Sequence, residues 1–98
     1  MARRRKFSTE PLGETVQRLM AENGDTYRGL ADATGLSAGY LNHIVHGNRP
    51  VPSNEVVERL AGALGVDADH FREYRLRAVV DELERSPTLA DRLYKRLG

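Results

Sequence analysis

With 98 residues the chain has room for one domain, and a chain of this size buries only about 60–65% of its extended surface, so a single small core is expected. The absence of cysteine excludes a disulfide framework and a cysteine-built metal site, and no apolar run has the length of a membrane span or a signal-peptide core, so the composition fits the cytoplasm. Net charge is only +1, from 15 Lys and Arg against 14 Asp and Glu, so the charge sum does not reveal a partner class.

The cluster Arg3-Arg4-Arg5-Lys6 precedes any helical periodicity and is too charged to pack, so residues 1–8 read as a flexible basic arm. Such an arm can contact phosphates or lie in a minor groove, or serve only as a solubilising tail. Thr9 is placed to cap a first helix whose opening turn holds Glu10 and Pro11 and whose apolar stripe is Leu12, Val16, Leu19 and Met20; Asn23-Gly24-Asp25 ends it.

Thr26 then starts a second helix that runs to Gly35, and Ser37 caps a third with Leu41, Ile44 and Val45 on one face and Gly47 after it. Two helices of two to three turns joined by so short a turn cross steeply, with the small Ala31 allowing close approach: a helix-turn-helix with its second helix presented. Pro50-Val51-Pro52 cannot be helical, and Ser53 caps a fourth helix with Glu55 near its positive end. Val56, Val57, Leu60, Ala61 and Leu64 mark its buried face, and Gly65 stops it.

Asp67 reads as the cap of a longer helix reaching about Arg85, with Phe71, Tyr74, Ala78, Val79 and Leu83 at helical spacing. Ser86-Pro87 breaks it, and a last helix from about Thr88 carries Leu89, Leu93 and Leu97. Apolar stripes on these two terminal helices need a covering surface, either the domain's own flank or a second copy of the chain.

Leu30-Ala31, Gly35-Leu36-Ser37, Tyr40-Leu41, Ile44, Gly47, Arg49 and Pro52-Ser53 stand in one register, and from about Leu12 to Val66 the chain resembles the lambda-repressor and Cro-like (XRE-type) helix-turn-helix family. The resemblance implies an all-α fold: a five-helix lambda-repressor-like domain over residues 9–80 with an additional C-terminal helix. Residues 81–98 are then a helical extension that dimerises or packs on its own domain. It further implies a sequence-specific double-stranded DNA-binding transcriptional regulator, a repressor, that reads the major groove with helix 38–46, acts without cofactor or metal, and works as a homodimer.

If Leu41, Ile44 and Val45 point inward, Ala38, Gly39, Asn42, His43 and His46 point out. The family's frequent base-reading positions map to Ala38, Gly39 and His43. Ala38 can meet only a thymine methyl and Gly39 offers close approach, so hydrogen-bonded readout falls on Asn42, suited to adenine, and His43.

Phosphate contacts are expected from Thr26, Tyr27, Arg28, Ser37, Tyr40, His46, Asn48 and above all Arg49. Tyr40 can split its roles, ring on the core edge and hydroxyl on a phosphate. The chain departs from the family at Tyr27, where Gln is usual, and at Val45, where many relatives carry an acidic residue.

An enzyme finds little support. His43 and His46 lie three apart on a helix without a third metal ligand, His70 beside Phe71 looks like a helix-start residue, and neither a Gly-rich phosphate loop nor a Gly-x-Ser-x-Gly elbow is present. The remaining alternative is a protein-binding module, an antitoxin or regulator partner, with the helix-turn-helix as scaffold and the terminal helices as working surface.

Overall fold

The computed structural model describes residues 7–47 and 50–98; the cluster Arg3, Arg4, Arg5 and Lys6 and the pair Asn48 and Arg49 lie outside the described residues. Among the described residues six α-helices follow one another: α1 (Leu12–Asn23), α2 (Tyr27–Thr34), α3 (Ala38–Val45), α4 (Asn54–Leu64), α5 (Arg72–Arg85) and α6 (Pro87–Leu97), with a 3-10 turn at Ala68–His70 before α5. The all-α expectation of five helices and one more agrees with this order. Among the described residues no helix is long and apolar enough to cross a membrane.

One core joins α1 to α4 and Phe71. Val16 and Leu19 of α1, Leu41 of α3, Val57 and Leu60 of α4 and Phe71 are all fully buried, and Leu30 of α2 joins them. These are the apolar stripes read from the sequence, and each helix is half wet because its other face is polar. The closest seat in the bundle belongs to α1 and α3. A Cβ added at Gly13 would lie 2.6 Å from the Ile44 carbonyl oxygen and 2.7 Å from that of Val45. Only glycine lets the first turn of α1 rest on the last turn of α3 at that distance, and the positive end of α1 thereby meets the negative end of α3.

Two helix starts differ from the sequence reading. α1 begins at Leu12, with Pro11 rather than Thr9 at the N-cap position and no side-chain cap bond. Proline disfavours helical backbone in the residue before it, so Glu10 stays outside the helix and Thr9 is too far upstream to cap. Ser8 accepts from the Glu10 amide and bonds the buried Thr15 hydroxyl at 2.6 Å. The cap comes from a distance: the Leu12 amide donates to Glu73 Oε2 of α5 at 3.1 Å, a carboxylate at the positive end of α1.

Asp67, in turn, precedes the 3-10 turn instead of opening the long helix, and makes no side-chain cap bond. Phe71 takes an extended conformation (φ −86°, ψ 130°) that drives its ring into the core, edge-on to His70, and α5 starts only after it. Burial of one aromatic ring outweighs the helical preference of its neighbours.

Past this point the packing changes character. Neither α5 nor α6 contains a buried residue. α5 is held to the domain by polar side chains of its first turns: Arg72 donates to the Thr9 carbonyl, Arg75 to those of Ser8, Asp69 and His70, and Arg75 also lies 4.5 Å above the Phe7 ring. The Tyr74 hydroxyl donates to Glu58 Oε2 of α4 at 2.8 Å. α6 folds back on α5, where Leu83 and Ala90 are half-buried, while Leu76, Val79, Val80, Tyr94 and Leu97 stay exposed.

Gly13→Ala should destabilise the fold by about 1–3 kcal/mol in chemical denaturation, because backbone has to move to admit the methyl group. Gly39→Ala, with nothing within 4 Å of the added carbon, is the control and should leave stability equal or raise it by roughly 0.5–1 kcal/mol. Equal stability for both variants would mean that α1 and α3 do not touch at backbone level.

The Tyr74 phenol is held above its ordinary range, first by its hydrogen bond to Glu58 and then by desolvation and the nearby charges of Glu58 and Asp69. What this bond adds to stability is therefore whole below about pH 10 and disappears as pH rises through the raised value. An absorbance titration of the tyrosines should show one late phenol that Tyr74→Phe deletes and Glu58→Gln returns to the ordinary range; a curve indifferent to Glu58→Gln would contradict the pairing.

Candidate nucleic-acid interface

The helix-turn-helix is built by local capping. The Thr26 hydroxyl accepts from the Gly29 amide at 3.0 Å and the Ser37 hydroxyl from the Tyr40 amide at 3.0 Å, so α2 and α3 each open on a satisfied side-chain cap. Between them Gly35 takes φ +77°, the left-handed conformation that ends α2 after one residue, and its amide donates back to Ala31. Thr34 staples the turn from inside: its hydroxyl donates to the Leu30 carbonyl at 2.7 Å and accepts from the Leu36 amide at 3.2 Å.

α3 divides as its sequence pattern requires. Leu41, Ile44 and Val45 are buried, and Ala38, Gly39, Asn42, His43 and His46 are exposed on the opposite side. Thr26, Arg28 and Ser37 are exposed as well, whereas Tyr27 and Tyr40 are half-buried, packed against the core. Val45, the departure from the family pattern, spends its side chain in the core.

Both cap hydroxyls keep their own hydrogen, because in each cap bond the oxygen is the acceptor. Neither α2 nor α3 carries an acidic residue in its first turn, unlike α1, α4 and α5 with Glu14, Glu55 and Glu73. The positive ends of α2 and α3 are thus left for an anion to fill. His46 is partly committed: its Nδ1 lies 2.9 Å from the Asn42 carbonyl, and since a carbonyl only accepts, the proton is on Nδ1. A neutral His46 ring therefore offers Nε2 only as an acceptor, and the imidazolium is needed for it to meet a phosphate.

Arg77 was not visible from the sequence. From the second turn of α5 it holds the segment that enters α4, with Nη1 donating to the Pro52 carbonyl at 2.7 Å and to Asn54 Oδ1 at 2.8 Å and Nη2 to the Val51 carbonyl at 3.2 Å. The available hint was Glu73 and Arg77 four residues apart, two charges on the side of α5 that has to meet the domain. Among the described residues no three His, Asp or Glu side chains converge as a metal site.

Comparison with known proteins follows the same division. Residues 11–74, about two thirds of the chain, match the sequence model of a helix-turn-helix domain family. Among solved structures, the master regulator of biofilm formation SinR in complex with DNA is similar at 25% identity and a TM-score of 0.55, covering 57% of this chain and 89% of that one. The clp gene regulator ClgR from Corynebacterium glutamicum is similar at 30% identity and a TM-score of 0.55, covering 76% of this chain and 83% of its own.

Cyanate hydratases are similar in sequence: those of Pseudomonas syringae pathovar tomato and Pseudomonas savastanoi pathovar phaseolicola are each 35% identical, over 83 and 81 residues. The matches cover 82% and 80% of this chain but 53% and 52% of those proteins, so the chain spans about half the length of these relatives. A family match over most of the domain, joined to the capped pair α2–α3 and its outward face, decides the assignment: the chain belongs to the helix-turn-helix domain family of the lambda-repressor and Cro-like type.

Proposed function

We propose that this chain is a sequence-specific double-stranded DNA-binding transcriptional regulator, a repressor acting in the cytoplasm without cofactor, that inserts α3 into the major groove. The observation that carries this reading is the exposed face of α3, where Ala38, Gly39, Asn42 and His43 stand clear of the core on a helix that three buried residues hold in place. The SinR structure, solved with DNA, supports it. Families of this kind are typically binding proteins rather than enzymes, and the activity named for the cyanate hydratases belongs to longer proteins of which the match covers 53% and 52%.

In this reading Asn42 pairs with an adenine edge, His43 meets a second base, Ala38 touches a thymine methyl and Gly39 permits close approach. Thr26, Tyr27, Arg28, Ser37, Tyr40 and His46, with Asn48 and Arg49 in the connection that follows α3, take phosphates. Arg3, Arg4, Arg5 and Lys6 form an arm on the minor groove or the backbone. Residues 9–80 are the DNA-binding domain and 81–98 the extension.

The extension pairs two copies. Leu76 and Val79 of α5 and Tyr94 and Leu97 of α6 are exposed apolar residues, the last turns of α5 carry Asp81, Glu82 and Glu84 against Arg85, and α6 carries Arg92, Lys95 and Arg96 against Asp91. A two-fold axis sets the acidic end of one hairpin against the basic helix of the other while covering both apolar faces. Two α3 helices then enter successive major grooves about 34 Å apart.

The test of DNA binding is its salt dependence on random and selected duplexes. Log affinity should fall steeply with log salt, and a chain that binds no duplex at low salt is not a DNA-binding regulator. Arg49→Ala should weaken binding to all sequences alike, whereas Asn42→Ala should change preference at one position per half-site by about 1–3 kcal/mol; equal losses on every sequence for both variants would leave Asn42 without a base to read.

For pairing, sedimentation should show a dimer that Val79→Glu converts to monomer with the melting temperature of the fold unchanged, since Val79 is half exposed in the single chain. A wild-type monomer at concentrations that saturate DNA would assign the hairpin to another protein.

A further inference from the structure

Residues 50–53, which lead into α4, belong to no helix, so the carbonyls of Val51 and Pro52 have no helical partner, and prolines at 50 and 52 supply no amide of their own. Arg77 takes both carbonyls and the Asn54 side chain with one guanidinium, at 2.7 to 3.2 Å. A planar fork on three acceptors fixes orientation as well as distance, which a lysine's single nitrogen cannot do. Arg77 itself is half-buried, and Pro52 is buried beneath this contact.

We propose that Arg77 is a positioning residue for DNA binding: it ties residues 51–54, which lead into α4, to α5, so that this segment and the start of α4 keep one conformation when DNA is met. This rests on the DNA-binding reading given above. Fixed φ angles at Pro50 and Pro52 leave little freedom around the two carbonyls, and the arginine removes most of what is left. Arg77 makes three hydrogen bonds to protein acceptors, and in this proposal its effect on DNA passes through Val51, Pro52 and Asn54 without a phosphate contact of its own. It also sits beside Leu76 of the exposed apolar face, so the dimer has to be measured separately.

The experiment compares the wild-type chain with Arg77→Met, Arg77→Lys and Asn54→Ala on a selected duplex and an unrelated one, at a temperature where circular dichroism finds each variant folded. Both Arg77 substitutions should weaken binding roughly three- to thirtyfold on the two duplexes alike. Asn54→Ala, which removes one of the three acceptors, should weaken it by a smaller factor in the same direction. Amide exchange at Val56 and Val57, whose amides donate to the Ser53 hydroxyl and carbonyl, should quicken in all three, with α1 to α3 unchanged, and the dimer should sediment as before.

Full recovery by Arg77→Lys would make Arg77 a direct phosphate contact and overturn the proposal. So would folded variants that bind as tightly as the wild type, or a loss of affinity that follows a loss of dimer. Should the Arg77 variants fail to fold, Asn54→Ala with its amide exchange decides, and wild-type affinity there overturns the proposal as well. Failure of the wild-type chain to bind any duplex overturns the DNA reading itself; tight wild-type binding with indifferent variants overturns only the role of Arg77.

Discussion

The fold turns on a backbone-to-backbone contact, the first turn of α1 lying against the Ile44 and Val45 carbonyls at the end of α3, a seat that Gly13 alone permits. Close approach there lets Val16 and Leu19 share one core with Leu41 and Ile44, and that core holds α3 with one face in and one face out. α3 has only eight residues, too few to be stable as an isolated helix. Its shape is therefore a property of what it packs on, and the exposed row from Ala38 to His43 is rigid because the opposite row is buried.

A second principle governs the other half of the chain. The core ends at Phe71, and beyond it attachment is by hydrogen bonds: Arg72, Glu73, Tyr74, Arg75 and Arg77 each grip a backbone group or carboxylate of the domain. Polar attachment is directional, so it orients α5 well, but apart from Tyr74, which packs against the core, and the half-buried Leu83 and Ala90, the apolar residues of α5 and α6 stay exposed. The division is a domain closed on itself by apolar packing and a hairpin aimed by arginines.

Local chemistry was legible in the sequence and distant chemistry was not. Thr26, Gly35 and Ser37 act within three or four residues of themselves, so the limits of α2 and α3, and from them the outward face of α3, follow from residue types alone. The starts of α1 and α5 did not follow, for two different reasons. At Glu10 the proline after it overrides a plausible cap, a local rule that outranks Thr9; at Phe71 the winner is a ring buried against helices far away in the chain. Gly13, Glu73 and Arg77 are the extreme cases, because each acts on a partner at least 23 residues distant, and the spacing of Glu73 and Arg77 hints at a shared face without naming what it meets.

On the DNA-binding reading, magnitudes make pairing and positioning necessary. Discrimination by a specific regulator over random duplex amounts to about 4–10 kcal/mol. One good side-chain pair to a base supplies about 1–3 kcal/mol, and α3 exposes only Asn42 and His43 to make such pairs, since Ala38 and Gly39 bring almost no side chain. A single copy therefore supplies about 2–6 kcal/mol and reaches only the lower part of the range. Two copies on two half-sites double the base-read part, and the remainder has to come from DNA shape, which is sensed through phosphate contacts held at fixed spacing. A helix so lightly armed makes its flanks decisive: the hairpin that brings a second α3, and the arginine that fixes the segment leading into α4.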